Sequence, residues 1–226
     1  MKNKYALVVF DMAGTTVNED NLVYKLLHQT LIDDGYDCSL DLVLSIAAGK
    51  EKRSAFRDVL IELGVFAPDK LADRLHELFK EKLLIAYATA PILPMEGAGE
   101  VFAMLKNMGI KVVLNTGYDS TTAHHLIQRL YWNIGEQIDG LITASDVANG
   151  RPAPDMILLA MQKMEISDAR MVIKVGDSII DIVEGKNAQC GLTIGITTGA
   201  QNASLLQLSN PDYIIDSLNE IISLIE

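Results

Sequence analysis

Residues Leu7–Val17 read LVVFDMAGTTV. The opening run is apolar and β-branched with no helical period, which predicts a strand buried on both faces. It delivers a single carboxylate, Asp11, into a turn made of Ala13, Gly14, Thr15 and Thr16. A strand of this kind needs parallel neighbours and helices on either side, and the rest of the chain supplies both. Further strands are predicted at 111–115 (KVVLN), 139–143 (DGLIT), 171–175 (MVIKV), 192–196 (LTIGI) and 212–215 (DYII), with the first at 5–10 (YALVVF). Helical patterns fall between them at 96–109, 120–132, 154–164 and 181–189, and a final helix opens with Ser217 and Glu220 at capping-box spacing. The alternation predicts an α/β fold, a Rossmann-like parallel sheet covered on both faces.

The alternation fails once. From about residue 20 to 90 the pattern is helical throughout, as in NLVYKLLHQTLIDDG, KEKRSAFRDVLIELG and DKLADRLHELFKEKLLIAYA. The segment ATAPILPMEGAG then carries prolines and glycines suited to a return hinge. These features predict a core segment 1–17, a helical insertion 18–94 and a remaining core segment 95–226, with hinges near Asn18–Asn21 and Ala90–Gly97.

Composition narrows the possible partners. The 226 residues are 49% hydrophobic and 22% charged, ordinary for a globular chain, and the net charge of -11 disfavours nucleic acid and anionic membranes. Cys38 and Cys190 stand far apart and form no metal-ligand spacing, consistent with a reducing compartment. The N-terminal MKNKYALVVFD starts basic, but its apolar run is too short for a signal peptide, and no stretch approaches a membrane span. A cytoplasmic protein is expected.

Several chemistry-bearing residues sit at predicted strand ends. Asp11 follows ALVVF, Thr116 follows VVLN, and Asp177, with Asp181 a helical turn later, follows VIKVG. Arg151 lies on the loop after DGLIT. Ligands of open parallel sheets bind outside the carboxyl ends of the strands, so these side chains can converge. Clustered carboxylates need a counterion, and all-oxygen ligation suits Mg²⁺. Asp11 could then attack a phosphoryl group, with Thr116 and Arg151 on the transferring oxygens and the amides of the MAGTT turn as an anion nest. Each residue also has a plainer reading: Asp11 a turn or cap residue, Asp177 and Asp181 acids favoured at a helix N-terminus, Arg151 a surface loop residue, Thr116-Gly117 a turn.

Together FDMAGTTV, LNTGYD, GRPAP and KVGDSIIDIVEGKNA resemble the motifs of the haloacid dehalogenase superfamily of phosphohydrolases. Ala13, Arg151 and the TGY of the second motif are similar to the phosphonatase (phosphonoacetaldehyde hydrolase) branch. The resemblance implies a Rossmann-like core with an inserted α-helical cap of the C1 type. It implies that Asp11 is the nucleophile of an aspartyl-phosphate intermediate. Mg²⁺ would be bound by the Asp11 carboxylate, the Ala13 carbonyl and Asp177, and Asp181 would orient metal waters or nearby cations. Thr15, Gly117 and Lys52 are expected to touch substrate.

Ala13 stands where ordinary members carry an acid that protonates the leaving group. Phosphonatases instead use a cap lysine that forms a Schiff base, within the pattern MG-x-x-K-x-x-H. AAGKEKRSAF aligns with it through Gly49 and Lys52, but Ala48 and Ala55 replace the methionine and histidine. Lys50, Lys52 and Arg53 could equally form a cationic patch, or Lys52 a solvated surface charge. Tyr118 could line the site, as could GLTIGITTGAQNAS. His28 and His76 read as surface or partly buried, and His124-His125 as no metal pair. The expected function is an Mg²⁺-dependent phosphohydrolase, monomer or homodimer, acting on a small phosphorylated or phosphonate substrate. The alternatives are phosphonoacetaldehyde hydrolysis through Lys52, and a non-catalytic metal- or phosphate-binding interaction protein.

Overall fold

The computed structural model describes residues 4–225. Residues 1–3 and 226, with the basic start and the outer ends of the expected core segments, lie outside the described residues. β1 (Leu7–Asp11) is buried throughout, as its apolar sequence requires. β2 (Val17–Asn18) leads into α1 (Leu22–Asp33), α2 (Leu40–Ala47), α3 (Lys52–Glu62) and α4 (Asp69–Thr89), and β3 (Leu93–Pro94) returns the chain. There follow α5 (Ala98–Asn107), β4 (Lys111–Thr116), α6 (Ser120–Arg129), β5 (Gly140–Thr143), α7 (Asp155–Lys163), β6 (Val172–Gly176), α8 (Ile179–Asn187), β7 (Leu192–Ile196), α9 (Ala203–Gln207), β8 (Tyr213–Ile215) and α10 (Glu220–Ile225).

The main sheet has six strands in the order β5-β4-β1-β6-β7-β8. Each neighbouring pair is parallel, with Asp11 beside Asn115 in register. β1 therefore lies inside the sheet, and strand order reverses around it, which is where a parallel sheet opens a crevice at its carboxyl edge. Leu7 and Val9 pack on one face with Met156, Ile157 and Ala160 of α7, while Val8 and Phe10 face the other core. Phe10 meets Phe102 there, with ring centroids 5.5 Å apart. The insertion packs around Leu27, Leu31, Val43, Phe56, Leu75 and Phe79, all buried.

The six expected strands form, with ends shifted by a residue or two. Asp11 and Thr116 are the last residues of their strands rather than the first beyond them. The antiparallel β2–β3 pair was not expected, because Val17↔Pro94 and Asn18↔Leu93 are too short to show a period. It joins the two crossings between sheet and insertion. No helix among the described residues is long and apolar enough to cross a membrane.

Candidate active site

Three carboxylates meet at the carboxyl edge of the sheet. Asp11 ends β1, Asp177 follows β6, and Asp181 lies in the first turn of α8. All are buried, and one oxygen of each lies within 4.8 Å of the others. Gly14, Gly176 and Gly199 make the packing possible. A methyl on Gly199 would stand 2.0 Å from Asp177 Oδ2, and one on Gly176 would stand 2.3 Å from Asp181.

Arg151 bridges two of the three acids. Its Nη1 lies 2.6 Å from Asp11 Oδ1 and 3.0 Å from Asp181 Oδ1, and its Nε 3.2 Å from Glu184 Oε2. Nη2 donates to the Asn115 carbonyl at 2.7 Å and to Asn115 Oδ1 at 2.9 Å. Lys174, fully buried in β6, donates to Asn115 Oδ1 at 2.6 Å and lies 3.0 Å from Asp181 Oδ1. Asn115 in turn donates to both oxygens of Glu184. Lys174, Asn115 and Glu184 escaped the sequence reading. A lysine inside the apolar strand VIKVG, and a glutamate three residues beyond Asp181, were the available signals.

The charges within the cluster are not balanced evenly. Burial raises the pKa of Asp11, outweighing the attraction of Arg151, and the charge of Asp181 pushes the same way. Asp177 is raised well above the ordinary carboxylate value by burial and then by the charges of Asp11 and Asp181; its compensation includes the Ala200 amide, which donates to Oδ2 at 2.6 Å. Burial would raise Asp181 too, but Arg151 and Lys174 hold it below the ordinary value. Both Asp181 oxygens are engaged, Oδ2 by the Ser178 hydroxyl. Asp11 and Asp177 are therefore the acids short of counter-charge, and an oxygen-only donor set of this kind fits a hard divalent cation.

The turn after Asp11 restricts the expected anion nest. The amides of Thr15, Thr16 and Val17 donate to Met12 O, and that of Gly14 to Val17 O, so the Gly14, Thr15 and Thr16 amides are engaged within the turn. Thr15 Oγ1, by contrast, is buried without a hydrogen-bond partner among the described residues. Thr116 is buried, and its hydroxyl accepts from the Tyr118 amide at 3.2 Å. From the β7 side, Thr198 Oγ1 donates to Gly14 O at 2.6 Å, so the GITTGA segment borders the site as expected.

The helical insertion lies directly on this edge. Gly49, at φ +71°, leaves no room for a side chain against Ile180 and Ser178, and its amide donates to the Tyr24 hydroxyl at 2.9 Å. A methyl on Gly117 would meet Lys50 O at 2.9 Å. Lys52, first residue of α3, is 7% exposed and donates to Lys50 O at 2.9 Å. Its Nζ stands 5.1 Å and 5.4 Å from the ring centres of Tyr24 and Tyr118. The patch and solvated-lysine readings are thereby corrected: Lys50 pairs with Asp58 at 2.6 Å, Arg53 pairs with Asp73, and Lys52 turns inward. α3 begins in a fixed turn that sends these neighbours in different directions. Ala55 is fully buried beneath it.

A cavity of about 720 Å³ opens beside Lys52, between α3, α4 and the loops after β4 and β5. Lys52, Tyr87, Gly117, Tyr118, His76 and His125 line it. His124 lies outside it, on the Ser120 carbonyl, and His28 contacts Cys38 O at 2.8 Å.

Known proteins resemble this chain in sequence and in fold. A phosphonoacetaldehyde hydrolase of Parabacteroides distasonis is 38% identical over 120 residues, 53% of this chain and 45% of that one. One from Latilactobacillus sakei is 31% identical over 218 residues, covering 92% of this chain and 80% of the relative. A Dickeya dadantii protein named "Probable phosphatase IndB" is 27% identical over 217 residues, 96% and 91% of the two chains. The solved phosphonoacetaldehyde hydrolase-like protein of Oleispira antarctica superposes with a TM-score of 0.85 at 22% identity, over 99% of this chain and 92% of that one. The model of the haloacid dehalogenase-like hydrolases matches residues 5–189, and the chain belongs to that family of hydrolases.

Proposed function

We propose that the protein is an Mg²⁺-dependent phosphohydrolase that transfers a phosphoryl group from a small metabolite to Asp11 and then to water. One observation carries the reading: Asp11 ends β1 within a buried cluster of Asp177, Asp181 and Arg151, whose guanidinium bridges Asp11 and Asp181. Asp11, the Ala13 carbonyl and Asp177 would hold the ion, with Asp181 kept back by Arg151 and Lys174. The ion would supply charge neutralisation for the approaching dianion.

The chain's own residues supply the remainder. Asp11 is a nucleophile positioned at a strand end. Arg151, held by Glu184 and Asn115, would turn its Nη1 from Asp11 Oδ1 to the transferring oxygens. The orphaned Thr15 hydroxyl, Thr116 and Gly117 border the position the phosphoryl would take. Residues 18–94 act as a cap hinged near 18–21 and 90–97. With Gly49 seated on α8 and Gly117 under Lys50, closure excludes water from the first step.

Phosphonoacetaldehyde hydrolysis is the second reading. It is favoured by the burial of Lys52, whose pKa is lowered chiefly by desolvation, and by the relatives' names. Ala48 and Ala55 speak against it. Phosphate release should be screened over phosphate esters, acyl phosphates and phosphonoacetaldehyde, with and without Mg²⁺, in wild type and Asp11→Asn. Mg²⁺-dependent release lost in Asp11→Asn is expected. Activity surviving that substitution removes the mechanism, and a borohydride-trapped adduct that depends on Lys52 transfers the assignment to the phosphonatase.

A further inference from the structure

Ala13 leaves the nucleophile turn without an acid for the leaving group, and a buried carboxylate elsewhere faces the same problem from the other side. Glu19, on the crossing from β2 to α1, is 4% exposed. Its carboxylate accepts a very short hydrogen bond from the Tyr87 hydroxyl of α4 and a longer one from the Val23 amide at 3.4 Å. Tyr87 Oη lies 2.9 Å from Tyr118 Oη, on the core loop after β4. The Tyr118 ring is one of the two that flank Lys52 Nζ. A carboxylate, two phenols and an ammonium thus share one buried pocket, drawn from the crossing, the insertion and the core.

We propose that Lys52 is the acid–base catalyst that replaces the absent acid at Ala13, and that Glu19, linked through Tyr87 to the Tyr118 ring beside Lys52, is the positioning residue that favours its charged form. The proposal rests on the reading of Asp11 as nucleophile. The charged groups facing Lys52 are Glu19, Asp11 and Glu51, which favour its protonated form, and Arg151, which opposes it; Tyr24 and Tyr118 face it with their rings. Burial is the largest influence on both partners, lowering the pKa of Lys52 and raising that of Glu19. Each is costly alone in this pocket, and each is eased by the other.

Among the described residues the ammonium donates to Lys50 O at 2.9 Å, and Lys52 lines the cavity together with Gly117, the residue after Thr116. In the first half-reaction an Asp11 oxygen bonds to phosphorus as the bond to the leaving oxygen breaks. A proton passes from Lys52 Nζ to that oxygen, leaving a neutral amine. In the second half, water attacks the phosphorus of phospho-Asp11, the bond to Asp11 breaks, and the amine takes the water's proton. The starting charges are restored. A Schiff base needs the opposite, a neutral Lys52 at the outset, which Glu19 disfavours.

The test compares kcat for glycerol 3-phosphate, whose leaving alkoxide needs a proton, with kcat for acetyl phosphate, whose carboxylate does not. Lys52→Ala should lower the ratio of the first to the second by about 10² or more, the scale of a lost general acid. Glu19→Gln should lower it about tenfold or more and move the alkaline limb of the glycerol 3-phosphate pH profile to lower pH. Tyr87→Phe, which keeps the carboxylate, should move both in the same direction by less. An equal fall on the two substrates, or an unmoved alkaline limb in Glu19→Gln, overturns the proposal. Turnover by Asp11→Asn, or of neither substrate by wild type, overturns the nucleophile reading itself. Turnover that depends on Asp11 with an unchanged ratio in both Lys52→Ala and Glu19→Gln overturns the roles of Lys52 and Glu19 and leaves the nucleophile reading standing.

Discussion

Arg151 Nη1 lies 2.6 Å from Asp11 Oδ1, and neither side chain is more than 6% exposed. The guanidinium simultaneously touches Asp181, Glu184 and Asn115, a set that no single-point cation can reach. Arg151→Lys is therefore expected to keep the charge but lower kcat/KM by about 10²-fold, the scale of losing a fixed donor to the transferring oxygens. Arg151→Ala leaves buried acids facing one another and should cost about 3–5 kcal/mol in urea unfolding. Equal behaviour of the two variants in both measurements would contradict this account.

Asp177 predicts an unusual pH response. Its folded pKa stands above the unfolded value near 3.8, so the folded chain binds that proton more tightly. Its contribution to stability then falls as pH rises beyond 3.8, and protonation at low pH removes the penalty. Metal-free Asp177→Asn should melt higher than metal-free wild type at pH 7.5, with the gap closing toward pH 4. Adding Mg²⁺ should reverse the order at pH 7.5, because only wild type retains the site. Calorimetric scans at the two pH values check both signs.

Deprotonation of the same acids must accompany metal binding. The apparent Mg²⁺ affinity should rise with pH through the acidic range, and titrations in buffers of different ionisation enthalpy should show proton release. An affinity flat between pH 5 and 7.5 would mean that Asp11 and Asp177 are already ionised without the metal.

Gly49 sits at φ +71°, where an added Cβ would lie 2.2 Å from Ile180 Cγ2. Gly49→Ala should cost about 1–2 kcal/mol from the left-handed backbone alone. Because the displaced loop is the one lying on α8, kcat/KM should also fall tenfold or more. Phe56→Ala, deep in the insertion and edge-on to Phe79 at 5.7 Å, is the contrasting case. It should cost about 3–5 kcal/mol through cavity formation. The two are separated by comparing activity with urea midpoints.

The strands could be read because each is a near-continuous apolar run, and Asp11, Thr116 and Asp177 because each sits where such a run ends. Parallel pairing then brings them together without further information. Lys52 and Glu19 are different. KEKRSAF is rich in charge, and only the left-handed turn at Gly49 decides that Lys52 points inward while Lys50 and Arg53 find Asp58 and Asp73. The Glu19–Tyr87 contact joins residues 68 positions apart and depends on how α4 folds back. The loss of the Gly14, Thr15 and Thr16 amides from the expected nest has a local cause: the sharp reversal from Met12 to Val17 engages them.

The β2–β3 ribbon has a mechanical consequence. Both crossings run side by side, joined by Val17↔Pro94 and Asn18↔Leu93, so the proposed cap would swing on one paired pivot rather than on two separate tethers. α4 ends close to that pivot and has 21 residues. At 1.5 Å per residue its length is about 30 Å, so a tilt of about 10° sweeps its far end through about 5 Å. In the proposed closure Tyr87 would sit near the fulcrum and move least, whereas Asp69 would travel farthest. A spin label on Asp69 should report the swing at full amplitude, while one near Tyr87 would barely register it.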